Sequence, residues 1–499
     1  MQFGRIEIFT DEKEVNELNI IKVLQDAFSK HQENMNSYKF LLEYESGNQP
    51  LQRTKKYRPD INCECVDNVA NEATEFNVGF KWGYPITLVQ RGQDEGKAEL
   101  ISRLNDCYEL QNIRAKTQKL GRFVEICGVG YTYVDVAPKD ADCPFRIEAL
   151  DPRYTFVVRS NYYIDHRVLM GVTFRITKEG RYFTCFTDTT RYEINNIYEV
   201  ENGTVRDTKG RWEEANRSGE KNPLGYVPII EWFRSYDRMG IFERQISEMD
   251  NLNLLISDFT NSVEHNINSV WHTNDVEFPT EIIENSDGTK TEVPRKPKDT
   301  EWIQTFTSQD GKTPFIKPLA LDFDYEGMLN NIVTRRSLIL QKCNVPQRND
   351  NSGGSTGIAM SDATGWSAAE AAACKQQNIM ESCKMEEVKV VLRAIQLSAV
   401  EAELKQLKLS DIQPNVKRQK TYEMTTKVNF FATAISHGIH GLHALKAMNA
   451  FEDVNTVWED SKDLIKMYQN SIFNKQTEAE DRLEADYSDQ ISNSPNING

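Results

Sequence analysis

The sequence predicts an α+β fold in which helix predominates over sheet. Apolar residues recur at helical spacing before residue 122 and after residue 240, as expected for amphipathic helices. Between residues 123 and 235 they form β-branched and aromatic runs separated by turn residues, which is typical of a β meander. A proline-containing segment, 271–320, lies between two long helical runs, so we expect a small β insert there.

The N-terminal part is predicted to contain three helices. Residues 11–45 predict the first helix, which would open with a capping box formed by Asp11 and Glu14. We expect a second helix to break at Gly79, where glycine weakens helical structure. A third helix is expected over about residues 96–121.

A long amphipathic helix is predicted over residues 241–270. Its apolar face consists of Ile246, Met249, Leu252, Ile256, Phe259, Val263, Ile267 and Val270. Its opposite face carries Asp250, Asn251, Asp258, Asn261, Asn266 and Asn268. We expect Asp250 and Asp258 to line a solvated or subunit-facing surface rather than to chelate a metal. A second helix over 322–343 should end before Pro346. Between the helices, Asp287–Gly288 and Asp310–Gly311 predict hairpin turns.

The remainder of the chain is predicted to be a loop followed by helices. The Gly, Ser and Asn content of residues 346–366 predicts a loop, and the polar stretch Arg348–Asn351 is either an ordinary exposed loop or one that faces a channel. We expect a long Ala-rich helix over 367–409 and further helices over 410–475. Residues 476–499 predict an acidic, partly disordered tail.

Charge and composition exclude several classes of protein. The 499 residues carry a net charge of -16, whereas proteins that hold DNA through its phosphates are usually basic. No apolar run approaches the roughly 18 residues of a membrane-spanning helix, and the acidic N-terminus does not resemble a signal peptide. The nine scattered cysteines predict reduced thiols in a cytosolic protein.

The sequence carries no motif for nucleotide binding or nucleophilic catalysis. Residues 352–357 have the glycines of a phosphate-binding loop but lack its lysine, and Gly128 and Gly130 lack a third glycine. There is no G-x-S-x-G elbow, and no cysteine has the sequence context of a catalytic nucleophile. We therefore expect no cofactor and no enzymatic activity.

Two groups of residues could in principle bind a metal ion. Cys63 and Cys65 are close together, but no second pair lies at a zinc-like spacing. His437, His440 and His443 follow one another at steps of three, which turn successive side chains by about 60° around a helix. Three imidazoles would converge poorly there, so we interpret this segment as a partly exposed helical turn and expect no metal.

The order of these features resembles the portal proteins of tailed bacteriophages, of the siphophage type. The motifs that carry the resemblance are Tyr44–Gly47, Phe80–Pro85, Gly130–Asp135 followed by Leu150–Arg153, Asn222–Glu231, Ser247–Asp258 and Ser355–Ala359. Together they span roughly residues 38–400. Ser355–Ala359 departs from the family's pattern, because Thr356 interrupts its S-G-x-A motif.

The resemblance implies a portal fold with named regions. These are a wing (1–240), a stem helix (241–270), a β-rich clip (271–320), a second stem helix (321–345), a tunnel loop (346–366), a long wing helix (367–409), a helical crown (410–475) and an acidic tail (476–499). Subunits would form a ring, a dodecamer in the usual case, at one capsid vertex of the virion, after assembly in the host cytoplasm.

The resemblance also implies partners and contact residues. Double-stranded DNA would pass the tunnel loop at Arg348, Asn349, Asp350, Asn351 and Ser352. The clip would dock the terminase and the head-tail adaptor through Asp287, Lys290, Arg295, Lys296 and Lys298. The wing would meet the major capsid and scaffolding proteins, and no membrane is involved. An acidic chain suits such a conduit, because strong phosphate contacts would oppose sliding of DNA.

Two other interpretations of the sequence remain open. The chain could be another structural protein of the virion head or connector, although adaptors are usually much shorter. It could also be a DNA-processing packaging enzyme, such as an ATPase or a nuclease. The missing phosphate-loop lysine and the lack of a tight acidic cluster argue against the enzyme.

Overall fold

The chain forms two compact units, seen in a computed structural model. The first unit comprises Met1–Leu42, Ala73–Arg244 and Ser352–Gly499, and the second comprises Glu43–Glu72 and Gln245–Asn351. The structure describes residues 4–51, 61–92, 95–138, 141–178, 180–197, 199–201, 204–206, 212, 216–267, 271–274, 276–285, 288–295, 304–305, 315–318, 324–347, 365–418, 424–448, 450–451, 454, 457–468 and 470–471.

The described part of the chain contains both helices and strands. The α-helices are α1 (Ile20–Glu45), α2 (Val69–Trp82), α3 (Glu95–Leu110), α4 (Ile113–Cys127), α5 (Ile246–Ile267), α6 (Tyr325–Lys342), α7 (Trp366–Leu397), α8 (Met424–Ser436) and α9 (Gly441–Met448). Residues 457–468 are also helical.

The strands of the N-terminal half are β1 (Phe9–Thr10), β2 (Thr87–Gln90), β3 (Val129–Val136), β4 (Phe145–Leu150), β5 (Thr155–Ser160), β6 (Val168–Ile176), β7 (Gly180–Phe186), β8 (Thr190–Ile197), β9 (Glu199–Glu201), β10 (Thr204–Arg206), β11 (Asn216–Lys221) and β12 (Ile229–Phe233). The later strands are β13 (Trp271–Asn274), β14 (Val276–Glu277), β15 (Thr280–Glu284), β16 (Lys290–Pro294), β17 (Gln304–Thr305), β18 (Phe315–Pro318) and β19 (Ile412–Asn415). This mixture of helix and sheet confirms the predicted α+β class.

One sheet of the first unit is an antiparallel meander with a parallel strand at its edge. Its strand order is β1-β5-β6-β7-β8-β11, and β1 pairs with β5 in parallel. The N-terminal part of α1 packs on this sheet, where the ring of Phe28 meets those of Phe174 and Phe183 edge-on at 5.3 and 5.2 Å. Burial of each such aromatic side chain contributes roughly 1.5–3 kcal/mol, so this contact fixes α1 on the sheet.

A second sheet of the first unit, in the order β12-β3-β4, packs against α4 and α7. In β4 the inward residues Phe145, Ile147 and Ala149 are buried, and the residues between them are exposed, as the two-residue period of a strand requires. The buried face of α7 includes Ala369 and Ala373, whose small side chains allow close packing. This sheet and α7 form the larger apolar core.

The second unit combines two helices with a narrow β ribbon. Helices α5 and α6 contact each other, and the chain between them forms three antiparallel strand pairs, β13 with β18, β14 with β17 and β15 with β16. The pairs are nested, so the chain runs out along one side of the ribbon and returns along the other. This arrangement confirms a β insert between two helices; the regions named wing, stem, clip, tunnel loop and crown stay predictions.

Several predicted helix limits near the N-terminus are wrong. Helix α1 begins at Ile20 rather than at residue 11, and the side chain of Asp11 instead accepts a hydrogen bond from Asn161 at 3.0 Å. Helix α2 continues through Gly79, because tertiary packing outweighs the modest helical penalty of one glycine. The single helix expected over 96–121 is two helices, interrupted at Asn112, whose φ is 55°.

Two limits in the C-terminal half also differ from the prediction. The long helix expected to reach residue 409 ends at Leu397, and 3-10 segments follow at Ala402–Gln406 and Leu409–Asp411. Pro414 lies in β19, which pairs with β2 in a sheet of two strands. An edge strand tolerates proline, since the missing N–H is not needed there. Strand pairing with residues 87–90 is a distant contact that local sequence does not indicate.

Candidate functional site

The second unit carries the two helices and the β insert that the sequence marks as functional. The polar face predicted for α5 is divided there. Asn251 and Asp258 are exposed, whereas Asn261 is 3% exposed and bonds the backbone of Cys63. The polar face is therefore only partly exposed, because the chain itself covers Asn261.

Near the start of α5, a partly buried hydrogen bond connects Asp250 with Tyr44. The Tyr44 hydroxyl donates to Asp250 Oδ1 at 2.8 Å. Burial raises the pKa of Tyr44 well above its ordinary value, and the hydrogen bond to Asp250 adds to the shift. Burial also raises the pKa of the Asp250 carboxyl, although the same hydrogen bond opposes the shift. Asp250 is thus a structural acceptor in this unit.

The side chains of Arg336 and Tyr325 connect helix α6 to other parts of the second unit. Arg336 forms ion pairs with Asp67, at 2.8 Å, and with Glu72. Burial lowers the pKa of Arg336, but the carboxylates outweigh it and raise the pKa above its ordinary value. The ring of Tyr325 meets Phe259 of α5 edge-on at 6.1 Å. Sequence periodicity alone indicates none of these partners.

The tip of the ribbon is an exposed hairpin formed by β15 and β16. Lys290 pairs with Glu284 in the ladder, and Gly288 in the turn has a φ of 80°, as expected for the predicted Gly of a hairpin turn. The three large apolar side chains Ile282, Ile283 and Val293 are 66%, 48% and 38% exposed. Ile282 lies on one face of the hairpin, and the other two lie on the opposite face.

The structure describes part of the predicted contact residues. Lys290 is exposed on β16, and the backbone N–H of Arg295 donates to the carbonyl of Pro279 at 2.9 Å, so both lie on the ribbon. The other predicted contact residues lie outside the described residues; these are Asp287, Lys296, Lys298, Arg348, Asn349, Asp350, Asn351 and Ser352.

Residues with specific contacts precede and follow residues 348–364, which lie outside the described residues. In the second unit, Val345 and Pro346 are buried and the amide of Gln347 donates to Ser337 Oγ at 2.7 Å. In the first unit, Trp366 meets the rings of Phe76 and Phe80 at 5.7 Å each.

The buried acids of the first unit are all engaged by basic side chains. The pairs are Glu125 with Lys81 and Arg234, Glu231 with Arg159 and Arg238, Glu243 with Arg5, and Glu387 with Lys384. Burial opposes ionisation of Glu231, but its two arginines outweigh it and lower the pKa to about 2. These acids serve as structural ion-pair partners in the arrangement described.

The described thiols and histidines show no reactive or metal-binding arrangement. Burial raises the pKa of Cys107 and Cys383 to about 12, so these thiols are protonated. The rings of His440 and His443 lie 5.7 Å apart, and His440 packs on Trp458 at 4.8 Å. Among the residues that the structure describes, no group of three or more His, Cys, Asp or Glu side chains could hold a metal ion.

Two small cavities lie in the first unit. One, of about 20 Å³, is lined by residues that include Thr132, Lys384 and Glu387, and the other, of about 10 Å³, by residues that include Tyr131 and Glu231. Each has room for about one water molecule, which is far too little for a nucleotide. Within the described part of the chain, no helix is long and apolar enough to cross a membrane.

The fold combines helices and sheets, with an exposed β ribbon between two helices, and a comparison with family models identifies the family. Residues 24–471 match the model of the family described as Phage portal protein, SPP1 Gp6-like. The chain belongs to this phage portal protein family. The match includes α5, the ribbon, α6 and α7. No curated protein matches the chain.

The polar residues that the sequence analysis missed are Asn253 and Ser257. They lie on α5 at the same four-residue spacing as Asn261, and they are 1% and 0% exposed. The spacing was visible in the sequence as N-x-x-x-S-x-x-x-N. It could have indicated a buried polar stripe, because residues four apart lie on one face of a helix.

Proposed function

We propose that the chain is one subunit of a homo-oligomeric ring, a dodecamer in the usual case, at one vertex of a phage capsid. DNA passes through the ring during packaging and ejection. The family match over residues 24–471 carries this proposal, because it spans both helices and the ribbon between them. The ring assembles in the host cytoplasm and then becomes part of the virion.

Within the proposed ring, α5 and α6 form the stem and the β ribbon forms the clip. The wing comprises the N-terminal sheets and helices together with α7, and the helices after residue 410 form the crown. A ring needs two different surfaces on each subunit that close on each other. The partly exposed α6, with Leu329 and Val333 at 50% and 57% exposure, offers apolar surface for such a contact.

The clip docks the terminase during packaging and the head-tail adaptor afterwards. The exposure of Ile282, Ile283 and Val293 supports this role, because a ribbon of two strands with apolar side chains on both faces is marginally stable in water by itself. The charged residues Asp287, Lys290, Arg295, Lys296 and Lys298 surround that apolar tip in the sequence. The wing contacts the major capsid and scaffolding proteins.

The tunnel loop contacts the DNA through Arg348, Asn349, Asp350, Asn351 and Ser352. The residues with specific contacts on either side of it, Gln347 and Trp366, support a loop that is held at both ends. The net charge of -16 supports weak contact, because DNA that is gripped by its phosphates cannot slide freely. The protein acts as a conduit, without a cofactor and without enzymatic activity.

The particle formed by the purified full-length chain tests the ring. We expect mass photometry to give a mass many times the 57.4 kDa of one chain and negative-stain microscopy to show annular particles with a central hole. The double variant Ile282→Lys, Val293→Lys is expected to keep the ring and lose binding of the terminase. A stable monomer or dimer at micromolar concentration would contradict the ring.

Two assays separate the conduit from the alternative functions. Replacement of residues 348–352 by glycines should reduce packaging or DNA retention while rings still form; unchanged packaging and retention would exclude a DNA contact by the loop. Rings that turn over ATP, or that cleave DNA with a divalent metal, would favour the packaging enzyme instead. A chain that assembles with capsid proteins but never forms rings would favour another head or connector protein.

A further inference from the structure

An extended segment of the second unit, residues 61–68, runs along the polar stripe of α5. It belongs to no sheet among the described residues. Three side chains of α5, Asn253, Ser257 and Asn261, bond its backbone, and all three are at most 3% exposed. We call residues 61–68 the strap and these three side chains the rungs.

One rung bonds the strap in the way that a neighbouring β-strand would. Asn261 accepts from the Cys63 N–H at 2.7 Å and donates its amide to the Cys63 carbonyl at 3.1 Å. It therefore takes the place of a strand residue that pairs through both its N–H and its C=O. Ser257 accepts from the Cys65 N–H at 3.0 Å, while its single hydroxyl proton is donated to the Asn253 carbonyl of α5 at 2.7 Å, which is nearer than the Cys65 carbonyl at 3.3 Å.

The third rung makes one bond to the strap. Asn253 accepts from the Asp67 N–H at 2.9 Å, while its amide donates to Gln49 at 2.6 Å. Four helical residues rise about 6.0 Å, and two extended residues rise about 6.6 Å. The rungs and the strap therefore match in spacing over two or three steps, and they drift apart beyond that. This limits the strap to a short segment.

We propose that the strap is a built-in conformational device: it detaches from α5 as one piece while the rest of the second unit stays folded, and the three rungs set how often it does so. Ile61, at the start of the strap, is 2% exposed, but residues 62–68 are all partly or fully exposed and Val66 is 40% exposed, so the attachment consists largely of side-chain hydrogen bonds. A typical net hydrogen bond changes such an opening equilibrium by a factor of about 5. Segments with few buried apolar contacts open before the global fold.

Opening uncovers the buried stripe of α5. When the strap is attached, α5 cannot rotate or slide without losing several rungs together, so attachment also fixes the orientation of this helix. The ion pair of Arg336 with Asp67 lies at one end of the strap, but both side chains are more than a quarter exposed. Such a pair adds little to the attachment. The rungs are therefore the controlling contacts, and this inference does not depend on the ring.

Amide hydrogen exchange of the full-length protein in its native oligomeric state tests the strap. Exchange of peptides covering 61–68 is followed by mass spectrometry at several low urea concentrations, with peptides of α6 as the reference for unfolding of the same unit. We expect the strap to exchange faster than α6 and with a smaller dependence on urea. Ser257→Ala should speed exchange of the strap about fivefold and leave α6 unchanged.

Ser262→Ala is the matched control, because Ser262 is on the same helix and its hydroxyl donates to the carbonyl of Asp258 in its own turn at 2.7 Å. It should leave exchange of the strap unchanged. Maleimide labelling of Cys63 and Cys65, compared with the buried Cys343, gives a second measurement with the same expected order. Equal rates and equal urea dependence for the strap and α6 in the unmodified protein would overturn the proposal. An equal acceleration of the strap and α6 by Ser257→Ala would also overturn it.

Discussion

Replacing Glu125 with glutamine should destabilise the first unit more than any exposed ion-pair substitution. The carboxylate lies at the C-terminal end of α4 and accepts hydrogen bonds from four side chains. Lys81 donates at 3.3 Å, Trp82 at 3.0 Å, Arg234 at 3.2 Å and Gln376 at 2.7 Å. One side chain thereby connects α2, α4, α7 and the chain that follows β12.

The magnitude follows from burial. The side chains of Glu125 and Lys81 are 0% and 3% exposed. Removing one member of a buried ion pair leaves the other charged and unpaired, which costs about 3–5 kcal/mol. Lys81→Met in the same chain removes that stranded ammonium group. The double variant should therefore recover much of the loss, and the interaction free energy of the pair is the non-additive part of this cycle.

The loss should depend on pH in a defined direction. Burial lowers the pKa of Lys81 to about 8, although Glu125 opposes the shift. At pH values between this pKa and the ordinary lysine pKa of about 10.5, the unfolded chain binds more protons than the folded chain. The free energy of unfolding therefore rises with pH in that window. Without Glu125 the pKa of Lys81 falls further, so the difference between variant and unmodified protein should shrink from pH 7 to pH 10.

Denaturation by urea, followed by tryptophan fluorescence, measures these free energies. Glu75→Gln is the matched control, because Glu75 forms an exposed ion pair with Arg122 at 2.6 Å, also between α2 and α4. Its cost should be below about 1 kcal/mol. The reasoning is refuted if Glu125→Gln costs as little as this control, or if Lys81→Met added to it destabilises the protein further.

Three other substitutions have effects that the structure specifies. The pKa of Glu231 is about 2 in the folded protein, so its contribution to stability is lost as pH falls below the ordinary glutamate value. In acid titrations followed by circular dichroism, Glu231→Gln should therefore lose less stability between pH 5 and pH 3 than the unmodified protein. Gly128→Ala should cost at least about 2 kcal/mol in thermal unfolding, because φ is 80° and the new Cβ would lie 2.2 Å from the carbonyl oxygen of Arg238. Gly92→Ala is the control and should have little effect, because its new Cβ would meet nothing within 4 Å. Gly288→Ala should cost about 1 kcal/mol locally and increase proteolysis of the hairpin without changing the melting temperature.

Local patterns in the sequence predicted the elements whose signals lie within a few residues. The apolar repeat from Ile246 onward indicated α5, and the β-branched and aromatic runs between residues 123 and 235 indicated strands. The Asp-Gly dipeptide at Gly288 indicated the hairpin. These signals are reliable because helix and strand periods, and the positive φ of a turn glycine, depend on neighbouring residues. The order of the motifs also indicated the family, which the match over 24–471 confirms.

The tertiary structure determined whether each side chain is buried or exposed and which residues it contacts. The polar face predicted for α5 contains the exposed Asp258 and the buried Asn261, because the strap covers only one side of the helix. Glu125 is an ordinary acid in the sequence, and its partners come from as far away as Gln376. Helix α7 ends at Leu397 although the local sequence favours a longer helix.

The sequence by itself determined the class of fold, the kind of element and the family, since these follow from short-range periodicity and motif order. Only packing of distant segments decided burial, ion pairing and helix limits, because desolvation and close contact depend on residues that are remote along the chain.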